Sequence, residues 1–160
     1  MAKEQEEKVF HKTSINWYPG HMAKTKREIA EKLNLIDIVF EVIDARIPYS
    51  SKNKEIEEMT KNKPRILVMT KKDLCNREIT DKWIKYYESL GYNVALVDLI
   101  HDKNLTNILS ITNKLANDVN EKRRQKGLKP RRIRILILGI PNVGKSTLIN
   151  KLVGKKATNV

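Results

Sequence analysis

The chain has 160 residues, of which 40% are hydrophobic and 32% are charged, as expected for one globular domain. Its formal net charge of +13 favours a polyanionic partner, either nucleic acid or an anionic membrane surface. A membrane span is excluded because the longest apolar run, residues 35–43, is short and carries Asp37 and Glu41. Residues 1–10 lack the apolar core of a secretory signal, and Cys75 is the only cysteine. We therefore expect a cytoplasmic protein without membrane contact, disulfides or a cysteine metal cluster.

The predicted elements alternate between helix and strand along the chain. Residues 1–13 are polar, residues 14–22 contain a turn at Pro19 and Gly20, and the basic stretch that follows has helical spacing. The further elements, in order, are a strand over 36–44, a loop over 44–51, a short helix near 53–62, a strand over 65–70, a helix over 78–90, a strand over 93–98, a long helix from Leu105, a strand over 133–138 and a helix from Lys145. Apolar strands that alternate with helices predict an α/β fold of three layers, with a mostly parallel sheet between helices.

Residues 139–146, GIPNVGKS, fill every fixed position of the GxxxxGK[ST] phosphate-binding loop. A strand enters the motif and a helix leaves it, as phosphate binding requires. Glycine at positions 139 and 144 lets phosphate approach the backbone N–H groups, and the helix N-terminus adds positive potential. We expect Lys145 to reach the outer phosphates and the Ser146 hydroxyl to bind Mg²⁺. The alternative is a glycine turn that binds no ligand.

A second motif, Thr70-Lys71-Lys72-Asp73, follows directly on a predicted strand. The Asp73 carboxylate can accept hydrogen bonds from N1–H and N2–H₂ of guanine, whereas adenine would leave it unsatisfied. The stem of Lys71 can lie along the base plane. An exposed turn is the alternative interpretation, but ligands of open parallel sheets bind at the carboxyl ends of the strands.

The order of the two motifs is unusual. The guanine motif begins at residue 70 and the phosphate loop at residue 139, whereas Ras-like GTPases have the phosphate loop first. A sheet tolerates such a rotation of the sequence when the original termini are close and become joined. The sequence therefore predicts a circularly permuted Ras-like GTPase fold of the P-loop NTPase class. Residues 1–34 are predicted to be an N-terminal extension, and residues 35–160 an incomplete GTPase domain.

Four stretches together resemble the circularly permuted GTPases of the ribosome biogenesis GTPase A (YlqF/RbgA-like) group. They are INWYPGHMAKTKREI, LIDIVFEVIDARIPYSSKN, KPRILVMTKKDL and ILGIPNVGKSTLIN, and the resemblance extends from about residue 15 to the end. It implies a bacterial or organellar factor that binds and hydrolyses GTP during assembly of the large ribosomal subunit. It also implies binding to ribosomal RNA and protein precursors, a requirement for Mg²⁺, and a monomeric state.

The resemblance also assigns site residues. The nucleotide-binding set comprises Thr70, Lys71, Asp73, Asp98, Leu99, Asn142, Val143, Gly144, Lys145, Ser146 and Thr147. Asn142 matches a phosphate-loop asparagine that helps ligate K⁺ in related GTPases. Lys145 and His21 are the candidate catalytic residues, because His21 matches a histidine proposed to position the hydrolytic water. A neutral imidazole suits that task, and an exposed turn residue is the alternative interpretation of His21.

The sequence departs from the family pattern at three places. Thr70 stands where the family usually has Asn, so the hydrogen bonds to the phosphate loop and the base must differ. The stretch 97–99 lacks the Ser-Ala element that caps the base, which leaves Asp98 and Leu99 as substitutes. No DxxG loop or switch threonine can be assigned. In the family these loops and a C-terminal helical domain come later, so we expect the domain to be incomplete after the phosphate-loop helix.

A basic segment precedes the last strand. It contains eight lysines and arginines within residues 122–134: Lys122, Arg123, Arg124, Lys126, Lys129, Arg131, Arg132 and Arg134. We expect it to bind RNA phosphates together with a second cluster, Lys24, Lys26 and Arg27. A solvated helix end and linker is the alternative. Trp17 and Tyr18 are expected either to pack on the sheet or to stack on a base.

Three functions are consistent with these features. The first is a GTP-dependent assembly factor for the large ribosomal subunit. The second is a non-enzymatic RNA-binding module that retains a guanine-nucleotide site. The third is an adenine-specific P-loop enzyme, which the motif at residues 70–73 disfavours.

Overall fold

The computed structural model describes residues 14–16, 22–140 and 142–153. The strands are β1 (Ser14–Asn16), β2 (Ile38–Asp44), β3 (Arg65–Thr70), β4 (Asn93–Leu96) and β5 (Ile135–Gly139). The helices are α1 (Met22–Leu33), α2 (Pro48–Ser51), α3 (Lys54–Thr60), α4 (Arg77–Ser89), α5 (Thr106–Gln125) and α6 (Lys145–Val153), with a 3₁₀ turn at Lys72–Leu74. None of these helices is both long and apolar enough to cross a bilayer.

The strands form one sheet in the order β1-β5-β2-β3-β4, and all four pairings are parallel. The predicted parallel sheet is confirmed. Strand β2 lies between β5, which leads into the phosphate loop, and β3, which leads into residues 70–73. Its register with β3 places Asp44 opposite Thr70, so both strands end at the same level of the sheet.

Each face of the sheet is covered by helices, which confirms the three-layer arrangement. Alternate residues of β2 point to opposite faces because side chains alternate along a strand. Phe40 and Val42 join a core cluster with Ile108 of α5 and Leu148 of α6. On the other face, α1 and α3 pack over β2 and β5, and α4 packs over β3.

A buried ion pair interrupts the second face. Glu41 of β2 lies between the apolar clusters there, and its side chain is 2% exposed. The Nζ atom of Lys52 lies 3.2 Å from Glu41 Oε1 and 3.1 Å from Glu57 Oε2. Burial raises the pKa of Glu41, and the positive charge and hydrogen bond of Lys52 counteract only part of that rise. The pair therefore depends on Lys52 being in place.

Several element boundaries differ from the predictions. Residues 48–51 form a short helix instead of a loop, because Pro48 suits the first helical position and Ser51 Oγ donates to Ile47 O. The strand predicted over 133–138 starts at Ile135; the Arg134 N–H donates to Asp37 Oδ2 instead of a backbone carbonyl. The strand predicted over 93–98 ends at Leu96. The short strand β1 was not predicted at all, and it brings residues 14–16 into the sheet.

Candidate nucleotide-binding site

The phosphate loop joins β5 to α6 and has no room for side chains at its two glycines. A Cβ atom at Gly139 would lie 2.7 Å from Val42 O, a backbone atom of the neighbouring strand. Gly144 has φ +98°, and a Cβ atom there would lie 3.0 Å from Leu99 Cδ1. Glycine is therefore required at both positions, at one by close backbone contact and at the other by left-handed backbone conformation.

Lys145 is the first residue of α6, and only 4% of it is exposed. Its ammonium group donates to Gly139 O at 3.0 Å and to Ile140 O at 2.7 Å, both within the loop. Burial lowers the pKa of Lys145 to about 8. A phosphate group in the loop would supply the negative charge that stabilises the protonated amine.

The rest of the loop has the features that phosphate binding needs. Val143 is buried, while Ser146 and Thr147 are exposed in the first turn of α6. The Leu148 N–H donates to Gly144 O at 2.9 Å, which starts the helix at the loop. Asn142 has φ +67°, so its backbone is left-handed. The loop thus presents a helix N-terminus, two exposed hydroxyls and a buried lysine.

The guanine motif contacts the phosphate loop directly. The Thr70 hydroxyl donates to Val143 O at 2.6 Å, across 73 residues of sequence. Lys71 Nζ donates to Asn142 O at 3.0 Å, across 71 residues. Two motifs that are distant in sequence therefore form one continuous site. Thr70, which stands where the family usually has Asn, provides a hydrogen bond between the two motifs through its hydroxyl.

Asp44 is a residue of this site that the sequence analysis missed. Its Oδ2 lies 3.1 Å from Lys71 Nζ, and Arg46 donates to both carboxylate oxygens from Nε and Nη2. Burial alone would raise the pKa of Asp44, but the hydrogen bonds from Arg46 and Lys71 outweigh it and lower the pKa to about 2. The signal was available, because Asp44 ends a strand next to the guanine motif at the ligand-binding edge of the sheet.

The base-reading candidates lie around the end of β3 and the loop after β4. Asp73 is exposed in the 3₁₀ turn. One of its carboxylate oxygens lies within 4.8 Å of a carboxylate oxygen of Asp98 and of a ring nitrogen of His101. The Asp98 carboxylate accepts from the Ile100 and His101 N–H groups, both at 3.0 Å, and contacts His101 Nδ1 at 2.7 Å. Asp98 therefore holds the loop in shape, and Leu99 packs toward Gly144.

The remaining predicted residues either fall outside the described residues or lie at other parts of the sheet. His21, Trp17 and Tyr18 fall outside the described residues. The basic segment 122–134 joins the end of α5 to the start of β5, at the amino ends of the strands and thus opposite the phosphate loop. Lys24, Lys26 and Arg27 lie in the first turns of α1, which runs back toward the start of β2, so they lie near the carboxyl ends.

The fold and site define a P-loop nucleotide-binding protein of the α/β class, with a guanine-type motif that precedes the phosphate loop in sequence. The profile of the 50S ribosome-binding GTPase family matches residues 134–160. Ribosome biogenesis GTPase A of Bacillus licheniformis is 49% identical over 141 residues, which cover 88% of this chain and 50% of that protein. The Priestia megaterium protein of that name is 48% identical over 144 residues, covering 89% and 50%.

The crystal structure of GNP-bound YlqF from T. maritima matches with a TM-score of 0.60 and 30% identity, over 82% of this chain and 48% of that one. In the part that it shares with them, the chain is similar to ribosome biogenesis GTPase A (YlqF/RbgA) proteins. It spans about half the length of the curated relatives it matches.

Proposed function

We propose that the chain forms the guanine-nucleotide-binding part of a cytoplasmic, monomeric factor that binds and hydrolyses GTP during assembly of the large ribosomal subunit. The observation that carries the proposal is the junction of the two motifs, in which Thr70 and Lys71 bond to the phosphate-loop carbonyls of Val143 and Asn142. A ligand that fills both motifs must combine a base with a phosphate chain. The names of the relatives support the ribosomal role.

Base recognition depends on Asp73. Its carboxylate is exposed and accepts no side-chain hydrogen bond from the described part of the chain, so it is available to guanine N1–H and N2–H₂. Adenine offers an acceptor at N1 and would leave the carboxylate unpaired, which is unfavourable once the base covers it. Lys71 lies beside the phosphate loop, where its stem can support one face of the base.

Phosphate binding depends on the loop and on Lys145. Gly139 and Gly144 carry no side chain that could cover the loop backbone, and within the described residues the hydrogen bonds of the buried Lys145 ammonium go to the carbonyls of Gly139 and Ile140. This arrangement fits a phosphate chain. Mg²⁺ would be held by the exposed Ser146 hydroxyl and would neutralise charge on the outer phosphates. K⁺ would use the side chain of Asn142.

Hydrolysis is proposed from the family, with His21 positioning the water. His21→Ala in a protein that carries the complete GTPase domain is expected to slow GTP turnover while leaving GDP affinity nearly unchanged. Single-turnover assays measure the rate, and equilibrium titration measures the affinity. An unchanged rate would remove His21 from the mechanism.

RNA contact is proposed for a surface that we call the basic end. It comprises the exposed residues Lys122, Lys126, Lys129, Arg132 and Arg134. The alternative from sequence is a solvated helix end and linker, and two backbone hydrogen bonds hold the end of the helix in place. Leu128 N donates to Arg123 O and Gly127 N to Arg124 O, both at 2.9 Å, which forms a Schellman cap at the end of α5.

Several of the predicted RNA contacts have other partners within the chain, and Arg123 Nε donates to Lys129 O at 3.0 Å. Arg131 Nη2 lies 2.8 Å from Asp37 Oδ1, and its backbone exchanges hydrogen bonds with the Asn120 side chain at 3.0 and 3.2 Å. Arg124 Nη1 lies 3.2 Å from Glu121 Oε2. We assign Arg131 to anchoring the segment, and we assign the five residues of the basic end to phosphate contact because their side chains are exposed. The α1 cluster would be a separate contact, where Lys26 pairs with Glu55 at 3.3 Å.

Nucleotide competition tests the proposed function. Labelled GDP is bound to the chain, and unlabelled GTP, GDP and ATP are titrated against it. Guanine nucleotides are expected to displace the label at concentrations at least tenfold lower than ATP. Equal displacement by ATP would refute the guanine assignment. If a protein that carries the complete GTPase domain binds guanine nucleotides but does not hydrolyse GTP, the result would favour the non-enzymatic RNA-binding module.

A further inference from the structure

A chain of charged contacts links the end of β2 to the phosphate loop through the guanine motif. Arg46 bonds Asp44, Asp44 contacts Lys71, and Lys71 bonds the Asn142 carbonyl. The side chain of Asp44 is only 5% exposed, whereas that of Lys71 is 29% exposed. The carboxylate is thus a fixed group within the protein, and the lysine is the part that reaches the surface of the site.

Lys71 needs such support because its own conformation is unfavourable. Its backbone has φ +63°, in the left-handed region that a residue with a side chain rarely adopts. Asn142, whose carbonyl receives the Lys71 hydrogen bond, is left-handed as well, with φ +67°. A free lysine side chain also has several rotatable bonds and would lose their entropy on binding a ligand. A fixed carboxylate reduces that loss by holding the ammonium in advance.

We propose that Asp44 is a positioning residue of the guanine-nucleotide site, which holds the Lys71 ammonium so that one side chain serves both the base and the phosphate loop. The inference rests on the proposed function, since it concerns the same site. The register of β2 and β3 explains why Asp44 can act in this way. Asp44 lies opposite Thr70, so its side chain emerges at the level where Lys71 leaves β3. No covalent step is involved.

The structure offers a matched control for Asp44 at the opposite end of β2. Asp37, immediately before β2, is another buried carboxylate, 9% exposed, with a cationic partner, Arg131, at 2.8 Å. It lies at the amino end of the sheet, away from the phosphate loop. Asp37→Asn and Asp44→Asn therefore make the same chemical change at similar burial, and only Asp44 contacts the nucleotide site.

The test is a double-mutant cycle on GDP affinity, measured by calorimetric titration of Asp44→Asn, Lys71→Met, the double variant and Asp37→Asn. We expect Asp44→Asn to weaken GDP binding roughly tenfold, as for the loss of a charge-assisted hydrogen bond. We expect Asp37→Asn to bind like the unaltered chain. In the Lys71→Met background, Asp44→Asn should cause no further loss, because Asp44 acts through Lys71.

Losses that simply add in the double variant would overturn the proposal, because a merely structural carboxylate weakens binding whether or not Lys71 is present. Unchanged affinity of Asp44→Asn would overturn it as well. If Asp44→Asn does not fold, as judged by circular dichroism, Asp44→Glu replaces it, since it keeps the charge but displaces the carboxylate. The same non-additivity is then expected. Absence of GDP binding in the unaltered chain would refute the proposed function itself.

Discussion

The two ends of the sheet carry charge in different ways. At the nucleotide end, formed by the phosphate loop and residues 70–73, Lys71 is partly buried and Lys145 is buried, and each has defined oxygen partners. At the basic end, the cations are exposed and the backbone beneath them is held in place. A buried, partnered cation suits one ligand of fixed geometry, whereas an exposed array suits a long polyanion of variable sequence. The difference supports the proposal of two separate binding surfaces.

Lys145→Ala is expected to have the largest effect on this comparison. The substitution removes the buried ammonium that the phosphate chain requires, and GDP affinity should fall roughly a hundredfold or more. RNA affinity should remain unchanged, because the basic end lies at the opposite end of the sheet. Calorimetry with GDP and fluorescence anisotropy with RNA measure the two affinities. Retained tight GDP binding would contradict the phosphate-loop assignment.

Lys52→Met tests the core between the two ends. It leaves the carboxylate of Glu41 buried without its cation, and the free energy of unfolding should fall by about 3–5 kcal/mol. Lys61→Met is the control, because its pair with Glu58 is exposed and should contribute less than about 1 kcal/mol. Urea titration measures both. An effect as small as that of the control would mean that Glu41 is neutral in the folded chain.

The third prediction concerns the basic end. Changing Lys122, Lys126 and Lys129 together to Gln should weaken RNA binding. It should also make binding less sensitive to salt, because each lost phosphate contact reduces the magnitude of the slope of log affinity against log salt by about 0.7 for single strands, or roughly 2 for all three. GDP affinity should not change. The matched control changes Lys61, Lys82 and Lys85 to Gln, which removes the same charge from exposed lysines outside both proposed RNA contacts. Equal losses in the two variants would mean that net charge, and not location, decides RNA binding.

The smallest expected effect is proton uptake at the nucleotide end. The pKa of Lys145 is about 8 and below its ordinary value, so the amine is partly neutral near pH 8 in the free chain. Bound phosphate raises that pKa, and GDP binding should therefore take up about half a proton at pH 8 and almost none at pH 6. Calorimetry in two buffers of different ionisation enthalpy measures the uptake. Lys145→Arg, which stays protonated, should show none, and equal uptake would assign the proton elsewhere.

The predictions from sequence were most accurate where the relevant physics is local. The strand over 65–70 was predicted with its observed bounds, and the helix of the phosphate loop begins at Lys145 as predicted. The strand β1 was missed because three residues carry too little periodicity and depend on the neighbouring β5 for their hydrogen bonds. The helix at 48–51 was missed because an isolated turn of helix depends on a bond such as that from Ser51.

The sequence by itself determined the order of the motifs and predicted the class of ligand, because glycine spacing, a lysine and a strand-end carboxylate are constraints within short segments. Only the tertiary structure decided which distant groups touch. The pairing of β2 with β3 made Asp44 a partner of Lys71, and the return of α5 to the amino ends made Arg131 a partner of Asp37, 94 residues away. Such contacts depend on strand register and helix direction, which no single segment specifies.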